Sequence, residues 1–285
     1  MVSEVLKWFS PLREGWYWDL TLGLGGHSKA ILEASEEDTR IIGLDRDRQA
    51  LEIAKENLAD YEGRIRFFYG NFHHLVKLAY ENQWPKPAGI LMDLGTSALQ
   101  LEKPDRGFSF SLHGPLDMRM DNSDKVKAED ILNRASYKEL VKIFRDYGEE
   151  RFAPSIAREI IKIRKIQPLK STTELADIVS RKVRSKRIHP ATRIFQALRI
   201  AVNRELEALE EGLKNGLDLL LPGGRMIVIS FHSLEDRIVK HCFRDYQKHG
   251  IGKILTKKPI MAREEEKLSN PRSRSAKMRV FEKGE

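Results

Sequence analysis

An apolar strand that runs straight into a glycine-rich turn and then a helix constrains this chain more than any other feature. Trp16, Tyr17, Trp18, Leu20 and Leu22 supply the aromatic and aliphatic bulk of the strand, and Gly23, Gly25 and Gly26 follow at once. Glycines at such a junction let the backbone turn tightly while a ligand comes close. Lys29 to Glu33 then continues with helix formers. A second apolar strand, Arg40 to Asp45, ends in an acid twenty-two positions after Gly23. Glycines closing one strand and a carboxylate closing the next form the arrangement with which nucleotide folds take two sugar hydroxyls.

The details of the turn narrow the ligand. A dinucleotide fingerprint wants glycine at its sixth position, and the run from Gly23 has Ser28 there. A nucleoside without a pyrophosphate has less need of that close approach, so the turn favours S-adenosylmethionine over a nicotinamide dinucleotide. The plain alternatives are a tight turn that holds no ligand and an Asp45 that only caps the helix starting at Asp47.

Further strands alternate with helices. Val2 to Ser10 reads as an amphipathic helix, Ala50 to Leu58 as a second, Arg64 to Phe72 as strand three with its loop, and Ala88 to Gly95 as strand four, again with an acid, Asp93, near its end. This alternation predicts an α/β doubly wound, Rossmann-like sheet whose ligand sits at the carboxyl ends of the strands, where Gly23, Asp45, Phe72 and Asp93 all lie. The next buried strand, Gly224 to Phe231, comes about 130 residues after Gly95. A crossover needs only a few tens of residues, so roughly a hundred are an insertion. The expected organisation is a core of residues 1–102 and 202–285 around an inserted, mainly helical domain of residues 103–201. Arg106 to Asp121 reads as a structured loop. Helices are expected over Glu129–Asn133, Tyr137–Tyr147, Glu150–Arg164, Ser171–Val183 and Ala191 to about Gly212. Pro154 should start or kink its helix, and Ser171 with Glu174 forms a capping box. After strand five, Ser233 can cap a helix, and Lys253–Ile260 and Lys277–Phe281 read as two closing strands, giving a seven-stranded, mostly parallel sheet.

Charge separates the two parts. The whole chain of 285 residues carries a net +8, yet residues 134–204 alone hold eighteen Lys and Arg against seven acids. The densest cluster, Arg181 to Arg187, contains Arg184, Lys186 and Arg187. A one-sided excess of this size fits phosphate contacts better than solvated helix faces. No apolar run approaches the roughly 20 residues needed to cross a bilayer, and the first residues lack a secretory layout, so a soluble cytoplasmic protein with no membrane partner is expected. Cys242 is the single cysteine, which excludes an internal disulfide and a multi-cysteine metal site. His73 and His74 have no ligand partner at useful spacing, so no metal is assigned.

Several motifs together carry a resemblance. Gly25 to Ser28, Met92 to Gly95, Arg106 to Phe110, Gly114 to Asp121, Tyr147 to Phe152, His189 to Arg193, Phe195 to Ile200, Val202 to Leu206, Ile229 to Arg237 and Asn270 to Ser275 resemble the RsmH (MraW) family across nearly the whole chain. Thr96 and Ala98 depart from it, standing where the family more often has Val and Ser or Pro. The resemblance implies a class I methyltransferase fold and transfer of a methyl group from S-adenosylmethionine to the exocyclic N4 of a cytidine in the decoding centre of bacterial 16S rRNA. Positions carried over as cofactor contacts are Gly25, Gly26, His27, Asp45, Phe72, Asp93 and Gln100.

The chemistry read from the residues agrees. Methyl transfer from a sulfonium requires in-line attack, so positioning must supply most of the acceleration. The cytosine amine is a poor nucleophile because its lone pair is delocalised, and an acceptor aimed at its N–H groups would help; Asp93 or nearby backbone carbonyls fit, while Asp93 as a cofactor ligand alone fits equally. Methylation at carbon five would need a cysteine nucleophile, and Cys242 reads as a core residue. Phe108 and Phe110 flank a loop that can stack an extruded base, or simply pack. His232 and Ser233 lie at the end of strand five as substrate contacts or as helix-capping groups. The competing classes are a nicotinamide dehydrogenase and a non-catalytic rRNA-binding assembly factor. A homodimer stays open.

Overall fold

The computed structural model describes residues 1–183 and 188–285, and the chain forms two compact units, Met1–Gly95 with Leu206–Glu285, and Thr96–Glu205. The second is the insertion, beginning before and ending after the span 103–201 expected for it. Its limits follow from the short helix Ala98–Glu102 and from the bidentate ion pair between Arg199 and Glu205 (2.8 and 2.9 Å), which ties the last residues to the preceding helix.

The sheet unit contains β1 (Gly15–Asp19), β2 (Thr39–Asp45), β3 (Ile65–Tyr69), β4 (Pro87–Asp93), β5 (Arg225–Ser230), β6 (Gly252–Ile254), β7 (Ile260–Met261) and β8 (Lys277–Lys283). Their order is β3-β2-β1-β4-β5-β8-β6, with β7 pairing β8 off this path. β1 to β5 are parallel and β8 runs antiparallel to β5. The sheet has eight strands where seven were expected, because Lys253–Ile260 is not one strand: β6 and β7 are separate short segments that both pair with β8. Pro259 supplies no amide hydrogen for a continuous ladder across that stretch.

Alternation along the strands explains the layering. Tyr17, Ile41, Leu91 and Ile227 pack on one face with Val5, Ile31 and Leu51. Trp18, Ile42, Met92 and Val228 pack on the other with Leu75, Leu213 and Phe243. Both faces are covered by helices, so the strands read as continuous apolar runs. The order reverses between β1 and β4, which opens the crevice at their carboxyl ends.

In the helical unit, Ala128–Arg134, Tyr137–Asp146, Ala153–Arg164, Thr172–Lys182 and Thr192–Asn203 enclose a core that includes Leu132, Phe144, Ile156, Val179 and Leu198. Pro154 sits in the first turn of its helix, and Ser171 with Glu174 forms the expected capping box. The single helix expected from Ala191 to about Gly212 is two. Arg204 adopts a left-handed conformation (φ 49°) between Asn203 and the helix Glu205–Leu219, a break that no proline or glycine announces. No described helix is long and apolar enough to cross a membrane.

Candidate functional site

The turn after β1 is shaped by two glycines in left-handed geometry, Gly23 (φ 54°) and Gly25 (φ 87°). A Cβ on Gly25 would come within 2.6 Å of the Leu58 side chain, so this position is closed to larger residues by conformation and by space. The helix Gly26–Glu33 starts directly from it, leaving its first amides at the crevice.

Asp45, at the end of β2, fastens this turn. Its Oδ2 accepts from the Gly23 amide (2.7 Å) and its Oδ1 from the Asp47 amide (2.8 Å). Asp47, not Asp45, caps the following helix, its side chain accepting from Gln49 N. The capping alternative for Asp45 is thereby removed. Desolvation pushes the Asp45 carboxyl up to about 6, against the pull of its two amide donors. Each oxygen keeps a second lone pair for a hydroxyl donor.

A second group forms where β1 and β4 meet. Asp19, only 2% exposed, accepts from Ser28 Oγ at 2.8 Å and from Thr21 N at 3.2 Å. Thr21 Oγ1 accepts from the Asp93 amide at 2.6 Å, and His27 Nε2 stands 3.4 Å from Asp93 Oδ2. Burial works against charge on His27, yet Asp93 and Asp19 together raise its imidazole above the usual value. Burial likewise raises Asp19, with His27 and Ser28 opposing. His27 Nδ1 and Asp93 Oδ1 are out of contact with solvent and have no hydrogen-bond partner. A buried donor or acceptor without a partner costs about 1–3 kcal/mol, which a polar ligand at this edge would relieve. The residues at the edge therefore fit a nucleoside bearing a charged, polar tail.

Asp19 and Thr21 are absent from the residues the sequence marks, and Ser28 enters there only as the residue standing at the sixth position of the glycine run. The signal was present: Asp19 closes an apolar strand as Asp45 and Asp93 do, and it precedes the first turn glycine by four positions. Phe72 opens a short turn of 3₁₀ helix after β3 and packs against Gly212, where a Cβ would lie 2.7 Å from the ring. Next to β3, the Arg48 guanidinium sits 3.7 Å over the Tyr69 ring.

The other expected site residues have partners of their own. His232, not Ser233, is the cap of the helix Ser233–Lys248. Its Nδ1 accepts from Glu235 N at 3.4 Å, while the Glu235 carboxylate accepts from Phe231 N at 2.8 Å and from His232 N at 3.3 Å. Gln100 belongs to the helical unit, where it is buried and completes a capping box with Ser97. Phe108, 7% exposed, is part of that unit's core, so its ring has no open face for a base. Phe110 is half-buried with one face on His189. Arg184, Lys186 and Arg187 lie outside the described residues.

A doubly wound sheet in the order β3-β2-β1-β4-β5-β8-β6, with a glycine turn after β1 and acids closing β2 and β4, is a Rossmann-like fold of the methyltransferase type. The chain belongs to the MraW methylase family, whose model matches residues 1–284. Among its relatives, a ribosomal RNA small subunit methyltransferase H of Cyanothece sp. is 52% identical over 94% of this chain and 88% of its own length. Proteins of the same description from Syntrophotalea carbinolica, 47% identical over 99% of this chain and 96% of their own length, and Helicobacter pylori, 46% identical over 99% and 96%, are similar along the whole chain.

Proposed function

We propose that this protein transfers a methyl group from S-adenosylmethionine to the exocyclic N4 of a cytidine in 16S rRNA of the small ribosomal subunit. The observation that carries this reading is the pair of unpaired buried atoms, His27 Nδ1 and Asp93 Oδ1, beside a glycine turn fastened by Asp45. When bound, the cofactor supplies an electrophilic methyl on a sulfonium. Asp45 accepts the ribose hydroxyls with its free lone pairs. Gly25 and Gly26 admit the close approach, His27 and Asp93 hold the polar tail, and Phe72 offers its ring to the base. Gln100 joins the set by family pattern alone.

Asp93 is also the acceptor we assign to the nucleophilic amine, because its free Oδ1 is suited to accept an N–H as the nitrogen rehybridises. Asp19 acts behind this group, orienting Ser28 and adding negative potential at His27. A nitrogen target is supported by Cys242, the only thiol in the chain. Burial pushes that thiol up to about 11, which holds it protonated and removes the nucleophile that carbon-five methylation requires. The excess of cations in the inserted unit, including Arg184, Lys186 and Arg187, serves the phosphate backbone.

The test is transfer of labelled methyl from S-adenosylmethionine to small subunits from cells lacking this activity, followed by digestion of the RNA to nucleosides. Label in N4-methylcytidine is the expected result. Label in another nucleoside would overturn the target atom. Cofactor binding without transfer to subunits or to naked rRNA would leave a non-catalytic assembly factor.

A further inference from the structure

Phe110 and His189 form a flat stack in the helical unit, with ring centroids 4.4 Å apart and planes within 8°. Behind them stands Phe195, whose ring meets Phe110 edge-on at 5.6 Å and 81°. Phe195 is a core residue and Phe110 is half-buried, while His189 is exposed. The column therefore runs from the core outward and ends on an imidazole. One face of that imidazole is taken by Phe110. A second contact fixes its rotation: His189 Nδ1 accepts from the Ala191 amide at 3.2 Å, which makes Nε2 the donor of the neutral ring. A fixed, exposed aromatic face with a donor on its edge is what an unpaired nucleobase stacks on.

Charge selects the same ligand. The sequence around this histidine is strongly basic, residues 134–204 holding eighteen Lys and Arg against seven acids. A polyanion carrying flat, unpaired rings satisfies both features, whereas an acidic peptide would use only the charge. We propose that His189, braced by Phe110, is a stacking platform for an unpaired base of the RNA strand that this protein engages. This rests on the RNA reading above and goes beyond it, because it moves the stacking role from Phe108 and Phe110 to His189, to which the motif reading gives no role.

The experiment uses the full chain and a fluorescein-labelled single-stranded RNA dodecamer, together with copies carrying 2-aminopurine at successive positions. His189→Ala should weaken binding by about tenfold and abolish the 2-aminopurine quenching seen at one position, while His189→Phe and His189→Tyr stay within about twofold of the parent. His189→Lys should not restore binding. Phe110→Leu keeps the apolar volume but removes the flat brace, and should give a smaller loss at the same position. Parent affinity and an unchanged quenching profile in His189→Ala would overturn the platform, as would rescue by Lys and not by Phe. A parent protein that binds no RNA would sink the RNA reading as well; one that methylates small-subunit RNA equally well with Ala at 189 would sink the platform alone.

Discussion

In the sheet unit, His27 Nδ1 and Asp93 Oδ1 are buried without partners, whereas in the helical unit Asn203 uses both ends of its buried amide. Its Oδ1 accepts from Met120 N at 2.7 Å, and its Nδ2 donates to Met118 O at 2.7 Å and to Arg199 O at 2.9 Å. Arg106 donates to the Arg119 and Met120 carbonyls, and Arg119 makes a bidentate pair with Asp117, both bonds 2.7 Å. These contacts hold a loop in which Met118 adopts a left-handed backbone (φ 61°) with its side chain fully buried. The difference teaches how each unit works. At the end of β4 two polar atoms stay open for a ligand to fill, whereas the amide of Asn203 is fully used to fix the shape of a loop.

The largest effect expected from breaking this contrast is in the helical unit. Asn203→Ala strands the Met120 amide and the Met118 carbonyl in the core, and should cost about 3 kcal/mol of stability, read as a lower urea midpoint. An unchanged midpoint would mean that the loop holds itself. In the sheet unit, Asp93→Asn keeps the shape but removes the charged acceptor. Turnover should fall about a hundredfold or more while cofactor affinity changes less; equal losses in both would reduce Asp93 to a cofactor ligand. Asp45→Ala should weaken S-adenosylmethionine binding by about 1–3 kcal/mol in calorimetry. Unaltered binding would remove the ribose assignment.

Asp45 also gives a pH dependence. Asp45 is harder to ionise in the folded chain than in the unfolded one, so between the ordinary 3.8 and about 6 rising pH costs stability. Denaturation of Asp45→Asn beside the parent should show the parent losing ground through that window and the gap levelling above it. Cofactor affinity should run the opposite way, rising as the carboxylate forms near pH 6. Parallel curves for parent and variant would mean that Asp45 titrates as it does in the unfolded chain.

Much of this was legible in the sequence because it is local. Hydrophobic alternation fixes strands, glycines fix the turn, Ser171 with Glu174 and Pro154 fix helix starts, and acids closing the strands mark Asp45 and Asp93. Tertiary structure decided what depends on distant pairing. Thr21 Oγ1 meets the Asp93 amide, seventy-two positions away, only because β1 and β4 are neighbours. Asp19 meets Ser28, nine positions on, because the glycine turn brings the start of the helix Gly26–Glu33 back to the end of β1. The division of residues 253–260 into two strands is marked locally by Pro259, whereas the break at Arg204 has no local signal. Phe108 and Phe110 look alike in sequence, yet packing puts the first inside the core and sets the second beneath His189. Periodicity reports which face of an element is apolar; which distant group that face meets is set by the assembled fold.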